Sequence, residues 1–314
     1  MHLRKQSRAV FGLVLALQLA TSFGAIALLT RMGPAIAVVV DTACDLPEDL
    51  LEKHHIHPVP LRVHFGEEEY IDRFTLSSAD FFRKIVAHPV HPTTSQPVPA
   101  DFKRAYDLVL RLYEGAVSIH VPARHSGTYQ AAVRASVQAA GKIAVVDGRT
   151  VSVGLGLLAL EAVKAAEEGL ALDDVVQRVA QARDRMRTFI ALETMTYVVR
   201  GGRVSPWQGA IARLLKMKPV LTFSPEGELT VAAKVLGGQS VHRKALALVR
   251  QYAEGRNNLR FAIAHGNAPE TAAWYADQIR RFCDPTLLYI TEISPALGVH
   301  GGPGVAGVAV LGDR

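Results

Sequence analysis

Five short segments, spread over most of the chain, set hydroxyl, imidazole and guanidinium groups beside glycine-rich turns. They are Thr93-Thr94-Ser95-Gln96-Pro97, Ser126-Gly127-Thr128-Tyr129-Gln130, Gly201-Gly202-Arg203, Ala264-His265-Gly266-Asn267 and His300-Gly301-Gly302-Pro303-Gly304. Small polar donors beside helix starts suit one task, the holding of a lone anionic group such as a carboxylate or phosphate. A helix start offers unpaired N–H groups and about half a positive charge. Ser126-Gly127-Thr128 follows an apolar run and opens a helical pattern, although Ser126 taken alone reads as an ordinary N-cap. Thr94 and Ser95 lie in a stiff loop ahead of Pro97 and Pro99. His265 is expected at the C-terminal end of a strand, where ligand sites of α/β proteins collect. Arg203 adds an always-charged guanidinium on a flexible Gly-Gly turn.

Other chemistries find less support. His54, His55, His57 and His64 have no Cys or carboxylate at a familiar metal spacing. Gly154-Leu155-Gly156 lacks the third glycine of a dinucleotide fingerprint and reads as helix packing. Neither a G-x-S-x-G nucleophile elbow nor a G-x-x-x-x-G-K-[ST] phosphate loop occurs. Ser126, His265 and an Asp such as Asp41 would compose a hydrolytic triad, so acyl hydrolysis or acyl transfer stays open beside simple binding.

The elements that must position these groups follow from periodicity. Ile36–Val40 is a β-branched run expected as a strand buried on both faces. Strands expected at Ala116–Val121 and Ile143–Val146 alternate with helices at Phe102–Tyr113 and Ser126–Ala140, which predicts a parallel sheet. Right-handed crossovers would gather the loops after Val40, Val121 and Val146 on one edge. Helices at Val153–Ala166 and Leu172–Met186 follow. The second half then predicts strands at Thr188–Leu192, Pro219–Phe223, Leu229–Val235, Phe261–Ala264, Leu287–Ile293 and Val305–Val310, with helices at Val241–Glu254 and Pro269–Phe282. The fold class read from this order is α/β: an N-terminal parallel-sheet domain over 32–169, then a C-terminal α+β domain with a mixed sheet over 170–314.

Composition fits a folded globule, with 49% hydrophobic and 20% charged residues in 314. The net charge of +6 is concentrated at one end: Arg4, Lys5, Arg8 and Arg31 supply four positive charges. Without them, 31 basic side chains face 29 acidic ones, so a basic groove for nucleic acid is not indicated. Cys44 and Cys283 form no spaced motif and read as free thiols. Ala9–Thr30 is a 22-residue uncharged stretch, long enough to span a bilayer or to act as an export signal. The reading adopted is that residues 1–31 are an extension ahead of a start at Met32, with a cytoplasmic protein. Membrane anchoring or export through residues 9–30 is the alternative.

In this order, over residues 35–310, the segments resemble the DegV family of bacterial fatty-acid-binding proteins. The resemblance is carried by Asp41-Thr42-Ala43-Cys44-Asp45-Leu46-Pro47, T-S-Q-P from Thr94, S-G-T-Y-Q from Ser126 and V-V-D-G-R-T-V-S-V-G-L-G from Val145. G-G-R-V-S from Gly201, Lys216-Met217-Lys218-Pro219 and H-G-G-P-G-V from His300 complete it. It implies a two-domain carrier without catalysis or cofactor, holding one long-chain fatty acid in a buried channel. Thr94 and Ser126 match the positions that hydrogen-bond the carboxylate, with Ser95 and Gly127 beside them, and His265 matches a further member of that network. Arg203 matches a residue implicated in presenting the acid to a separate fatty acid kinase subunit, which makes the acyl phosphate. Lipid exchange would bring transient membrane contact. Two departures stand out: the family's Thr-Asp-Ser after the first strand is Val40-Asp41-Thr42 here, and its serine after the strand-four aspartate is Gly148.

Overall fold

The computed structural model describes residues 35–203, 218–235 and 240–314. Residues 9–30, Met32 and the Val204-Ser205 and Lys216-Met217 portions of the sequence motifs lie outside them.

Two sheets form the frame, and the α/β class holds. The first is all parallel in the order β2-β1-β6-β7, built from β1 (Ile36–Asp41), β2 (Ile56–Val59), β6 (Gly115–His120) and β7 (Lys142–Asp147). β1 and β6 are buried along their whole length, as befits the two central strands of a parallel sheet. The second sheet is mixed, in the order β10-β9-β8-β13-β11-β12. Its members are β8 (Met186–Ala191), β9 (Lys218–Phe223), β10 (Leu229–Val235), β11 (Asn257–His265), β12 (Leu287–Glu292) and β13 (Ala306–Asp313). Only β11 and β12 run parallel in it, because a helix, Pro269–Phe282, crosses between them.

A third, small sheet departs in part from the sequence expectation. The stretch from Ile56 to Ile71 forms β2, β3 (Arg62–Phe65) and β4 (Glu68–Ile71), the last two joined by a tight turn at Gly66. Its third strand, β5 (Thr93–Ser95), pairs with β3 through Val63 and Thr94. The Pro-rich stretch expected as a loop thus contains a short strand, held in place by a partner about thirty residues away.

The helix Val153–Glu167 explains how the sheets join. Twelve of its residues, from Val153 to Ala166, are buried, as befits a helix that is apolar all round. It packs on β1 and β6 from one sheet and on β13 and β11 from the other. Gly154 and Gly156 permit that closeness: a Cβ at Gly156 would stand 2.9 Å from the Cys44 carbonyl oxygen. One large apolar core therefore runs across both sheets, while smaller clusters lie on their outer faces. Among the described residues no helix is long and apolar enough to cross a membrane.

Candidate functional site

The three crossover loops of the parallel sheet open on one edge, and each reaches the same cavity. Ala43 comes from the loop after β1, Val121 to Gly127 from the loop after β6, and Val151 to Val153 from the loop after β7. The opposite wall is the facing surface of the mixed sheet, including Thr188, Ile190, Leu192, Leu221 and Phe223. The cavity volume is about 1040 Å³, at the large end of what small-molecule sites occupy. At its mouth Val98 and Gln130 are exposed, whereas Val153, Ala264 and Thr188 at depth are buried. The walls are mainly aliphatic, with Thr94, Ser95, Ser126, Arg203 and His300 among the polar side chains that interrupt them.

Thr94, Ser95, Ser126, Gly127 and Arg203 all line this cavity. The helix after β6 starts at Thr128, two residues later than expected, so Ser126 belongs to the loop and not to a regular cap. Its Oγ lies 2.8 Å from Thr128 Oγ1 and accepts the Thr128 N–H at 3.3 Å. Gly127 presses this loop against the β5 segment: a Cβ there would collide with the Gln96 side-chain amide. Strand alternation aims Thr94 and Ser95 in different directions. Ser95 Oγ meets His64 Nε2 at 2.9 Å, whereas Thr94 Oγ1 meets His300 Nε2 at 3.2 Å.

Among the described residues two imidazoles line the cavity: His125, whose Nε2 accepts the Leu229 N–H at 3.1 Å, and His300, the one that meets Thr94. His300 lies near the end of the helix Pro295–Gly301, and its Nδ1 is buried with no hydrogen-bond partner among the described residues. Gly201 is what gives that nitrogen room, since a Cβ there would collide with Nδ1. Burial first, and the nearby Arg203 charge second, push its pKa down to about 3. The ring is therefore neutral near pH 7. With Nδ1 unpartnered, the better tautomer carries its proton on Nε2, because a buried N–H without an acceptor costs more than a bare lone pair. Nε2–H then donates to Thr94 Oγ1 and leaves the Thr94 proton free to point into the cavity.

Arg203 stands beside this pair. One guanidinium nitrogen donates to the Gly201 carbonyl at 2.8 Å, and burial lowers its pKa from the usual arginine value. An arginine so placed stays charged, and among the described residues no carboxylate pairs with it. A partly desolvated cation, two hydroxyls and a helix start at Thr128 together favour an anionic headgroup near the mouth.

His265 is not part of this group. It ends β11, its Nδ1 accepts the Ala268 N–H at 3.3 Å, and the cavity is lined by its neighbour Ala264 instead. Alternation along the strand sends the two side chains to opposite faces. The structure thus does not bring Ser126 and His265 to one cavity as the hydrolytic reading requires. Asp41, the third member of that reading, is fully buried and spends its carboxylate on the Ala43 and Val121 amides and on His120. His300 is visible in sequence as the head of the His-Gly-Gly-Pro-Gly segment. What hides its role is the seven-residue helix that presents it, signalled only by Ser294-Pro295.

Beneath the headgroup region two buried carboxylates fasten the same helix to the first half of the chain. Asp45 accepts the Ser294 N–H at 2.8 Å and the Ser152 hydroxyl at 2.6 Å. Asp72 accepts the Ala296 N–H at 2.9 Å and the Thr42 hydroxyl at 2.5 Å. Desolvation raises their pKa values to about 6 and about 7. No group of three or more His, Cys, Asp or Glu suited to a metal occurs among the described residues.

A family model described as "Uncharacterised protein, DegV family" matches residues 35–313. The chain is 30% identical over 274 residues to a DegV domain-containing protein of Caldanaerobacter subterraneus subsp. tengcongensis, covering 87% of this chain and 97% of the relative. A solved structure of a DegV family protein from Thermus thermophilus, described by its fatty acid binding, is similar at 30% identity and a TM-score of 0.82, over 88% of this chain and 99% of that one. DegV from Bacillus subtilis, described as a fatty acid binding protein, is similar at 27% identity and a TM-score of 0.82, over 89% and 100%.

Proposed function

The chain belongs to the DegV family, and from that membership we propose that it is a carrier which binds one long-chain fatty acid in the cavity between its two sheets. The observation that supports this reading best is the distribution of polarity: a mainly aliphatic cavity of about 1040 Å³ whose lining includes Thr94, Ser126, His300 and Arg203, with Thr94 on His300 and Arg203 on the Gly201 that abuts it. In this reading the Thr94 and Ser126 hydroxyls donate to the carboxylate, and His300 fixes the Thr94 hydroxyl in the donating orientation. Ser95 and Gly127 shape the headgroup wall without a direct bond to the acid. His300 takes the place in the network that the sequence assigned to His265.

The tail supplies the driving force. About fifteen methylenes at about 0.8 kcal/mol each give on the order of 12 kcal/mol gross. Lost translational and conformational freedom takes back a large part, roughly 4–15 kcal/mol for association in general. Headgroup contacts then orient the acid more than they hold it. A carboxylate held by neutral hydroxyls near a mouth is accessible for hand-over, which fits the proposal that a separate kinase phosphorylates it while Arg203 faces that partner. Chemistry at the carboxyl group would belong to the partner; this chain supplies binding and presentation.

Lipid extraction and mass spectrometry of the purified protein test the reading directly. Stoichiometric long-chain acid is expected in the wild type, with occupancy sharply reduced in the Thr94→Ala/Ser126→Ala double variant. Undiminished lipid in that double variant would remove these hydroxyls from the site. Turnover of a p-nitrophenyl acyl ester that depends on Ser126 would replace the carrier by a hydrolase.

A further inference from the structure

Where the first half of β8 walls the cavity, one hydroxyl interrupts the hydrocarbon, and a second backs it from behind. Thr188 lines the cavity and is only 3% exposed, and its Oγ1 lies 3.0 Å from Thr150 Oγ1. Phe223 flanks it on the neighbouring strand, two residues beyond the Ile190–Leu221 pair that joins β8 to β9. The two hydroxyls fill the space where the helix Val153–Glu167 begins: a Cβ at Gly154 would collide with Thr188 Oγ1 and come within 2.6 Å of Thr150 Oγ1.

Behind this wall is a second chamber of about 210 Å³. Thr188 and Phe223 line it too, so one layer of side chains divides the two spaces. Its other walls bring charged groups, Arg149, Arg183, Asp184 and Arg187, which the larger cavity's aliphatic wall lacks here. Arg183 donates to the Asp147 carbonyl at 2.7 Å and keeps a buried Nε with no partner among the described residues. Hydrocarbon pushed into this chamber would displace whatever solvates the guanidinium groups, and stripping polar groups of partners is costly.

A fatty acid with its carboxylate near Thr94 and Ser126 aims its methyl end away from the mouth, toward this wall. We propose that the Thr150–Thr188 pair, with Phe223 beside it, is the end stop that fixes the longest acyl chain the protein accepts. Thr188 is then a specificity-determining residue. This rests on the fatty-acid reading of the larger cavity.

The test is affinity against chain length, measured on delipidated protein with saturated acids from C12 to C24 by competition with a fluorescent acid. For the wild type, affinity rises by about fourfold per added methylene and then stops rising at a definite length. In Thr188→Ala the break moves outward by two or more carbons. The first acids past the wild-type limit then gain on the order of tenfold over their wild-type affinity. If Thr188→Ala does not fold, Phe223→Leu opens the same wall from its other side and is expected to move the break likewise. A folded variant that binds palmitate but keeps the wild-type break overturns the end stop alone. A wild-type protein that binds no acid of any length overturns the carrier reading and the end stop with it.

Discussion

Replacing Thr94 by valine keeps the side chain's shape and removes one hydroxyl, which isolates its role. In the free protein that hydroxyl lies 3.2 Å from His300 Nε2. In the proposed complex it receives the Nε2 proton and donates its own to the carboxylate. The Thr94→Val variant forfeits a hydrogen bond to a charged group, worth about 1.5–3 kcal/mol, so affinity for palmitate should fall roughly ten- to hundredfold at about 1.4 kcal/mol per decade. It also strands the His300 N–H, whose other ring nitrogen is already unpartnered. That adds about 1–3 kcal/mol of destabilisation in the lipid-free state. Calorimetric titration of delipidated protein gives the first quantity and urea unfolding the second. A His300→Ala change should remove much of the stability loss when combined with Thr94→Val, because no orphaned donor remains. The affinity loss should persist in the double variant. Palmitate binding within twofold of wild type in Thr94→Val would refute the headgroup assignment, and additive stability losses would refute the imidazole's role in it.

Gly148→Ser should destabilise this chain by roughly 1–3 kcal/mol. Its Cβ would collide with Leu155 Cδ1 and lie 2.8 Å from the His120 carbonyl oxygen, and the latter is backbone that cannot swing aside; the shift in urea midpoint measures it. Asp45 and Asp72 have folded pKa values raised to about 6 and about 7 by burial, so between about pH 4 and 7 the folded state binds more protons than the unfolded chain. Their contribution to stability is therefore full below about pH 4 and is lost as pH rises through 6 to 7. Asp72→Asn should flatten that decline, seen as an unfolding free energy that changes less between pH 5 and 8 than in wild type; an unchanged slope would mean that Asp72 is ionised throughout. Ser126→Ala alone should lower acid affinity by a smaller factor than Thr94→Val, since Ser126 Oγ already has Thr128 as an alternative partner; the same calorimetric titration decides it.

Local pattern was enough for the frame and not for the site's last member. β1, β6 and β7 could be read because continuous apolar runs bounded by turn residues leave few alternatives, and their parallel order then placed three loops on one edge. Ser126 lies in one of those loops, and the structure brings Thr94 to the same cavity from a different element. β5 was not legible: Thr93–Ser95 has no apolar alternation of its own, and it is a strand only because Val63 and its neighbours offer an unpaired edge. The expectation for His265 turned on strand phase. It follows an apolar run and precedes glycine, but a single residue of register decides that Ala264 and not His265 meets the cavity. Short-range sequence does not fix that phase when both faces of β11 are buried, as they are from Phe261 to His265.

The neutrality of His300 has a consequence for how the acid is released. Were the ring protonated, it would form a buried ion pair with the carboxylate, strengthening as pH falls through the ordinary histidine range near about 6.5. Burial and the Arg203 charge place its titration near about 3 instead, so the hydrogen-bond relay through Thr94 is dipolar across the whole physiological range. A headgroup held in this way gives up fewer charge-assisted bonds on leaving than one gripped by a cationic imidazole. Nitrogen-detected NMR of the labelled ring is the direct check. One nitrogen is expected to stay pyridine-like and the other protonated from pH 5 to 8, with the proton on Nε2 and no change on adding palmitate. Titration of His300 in the ordinary histidine range, or protonation of both nitrogens in the complex, would convert the site into an ion pair and undo the argument for easy hand-over.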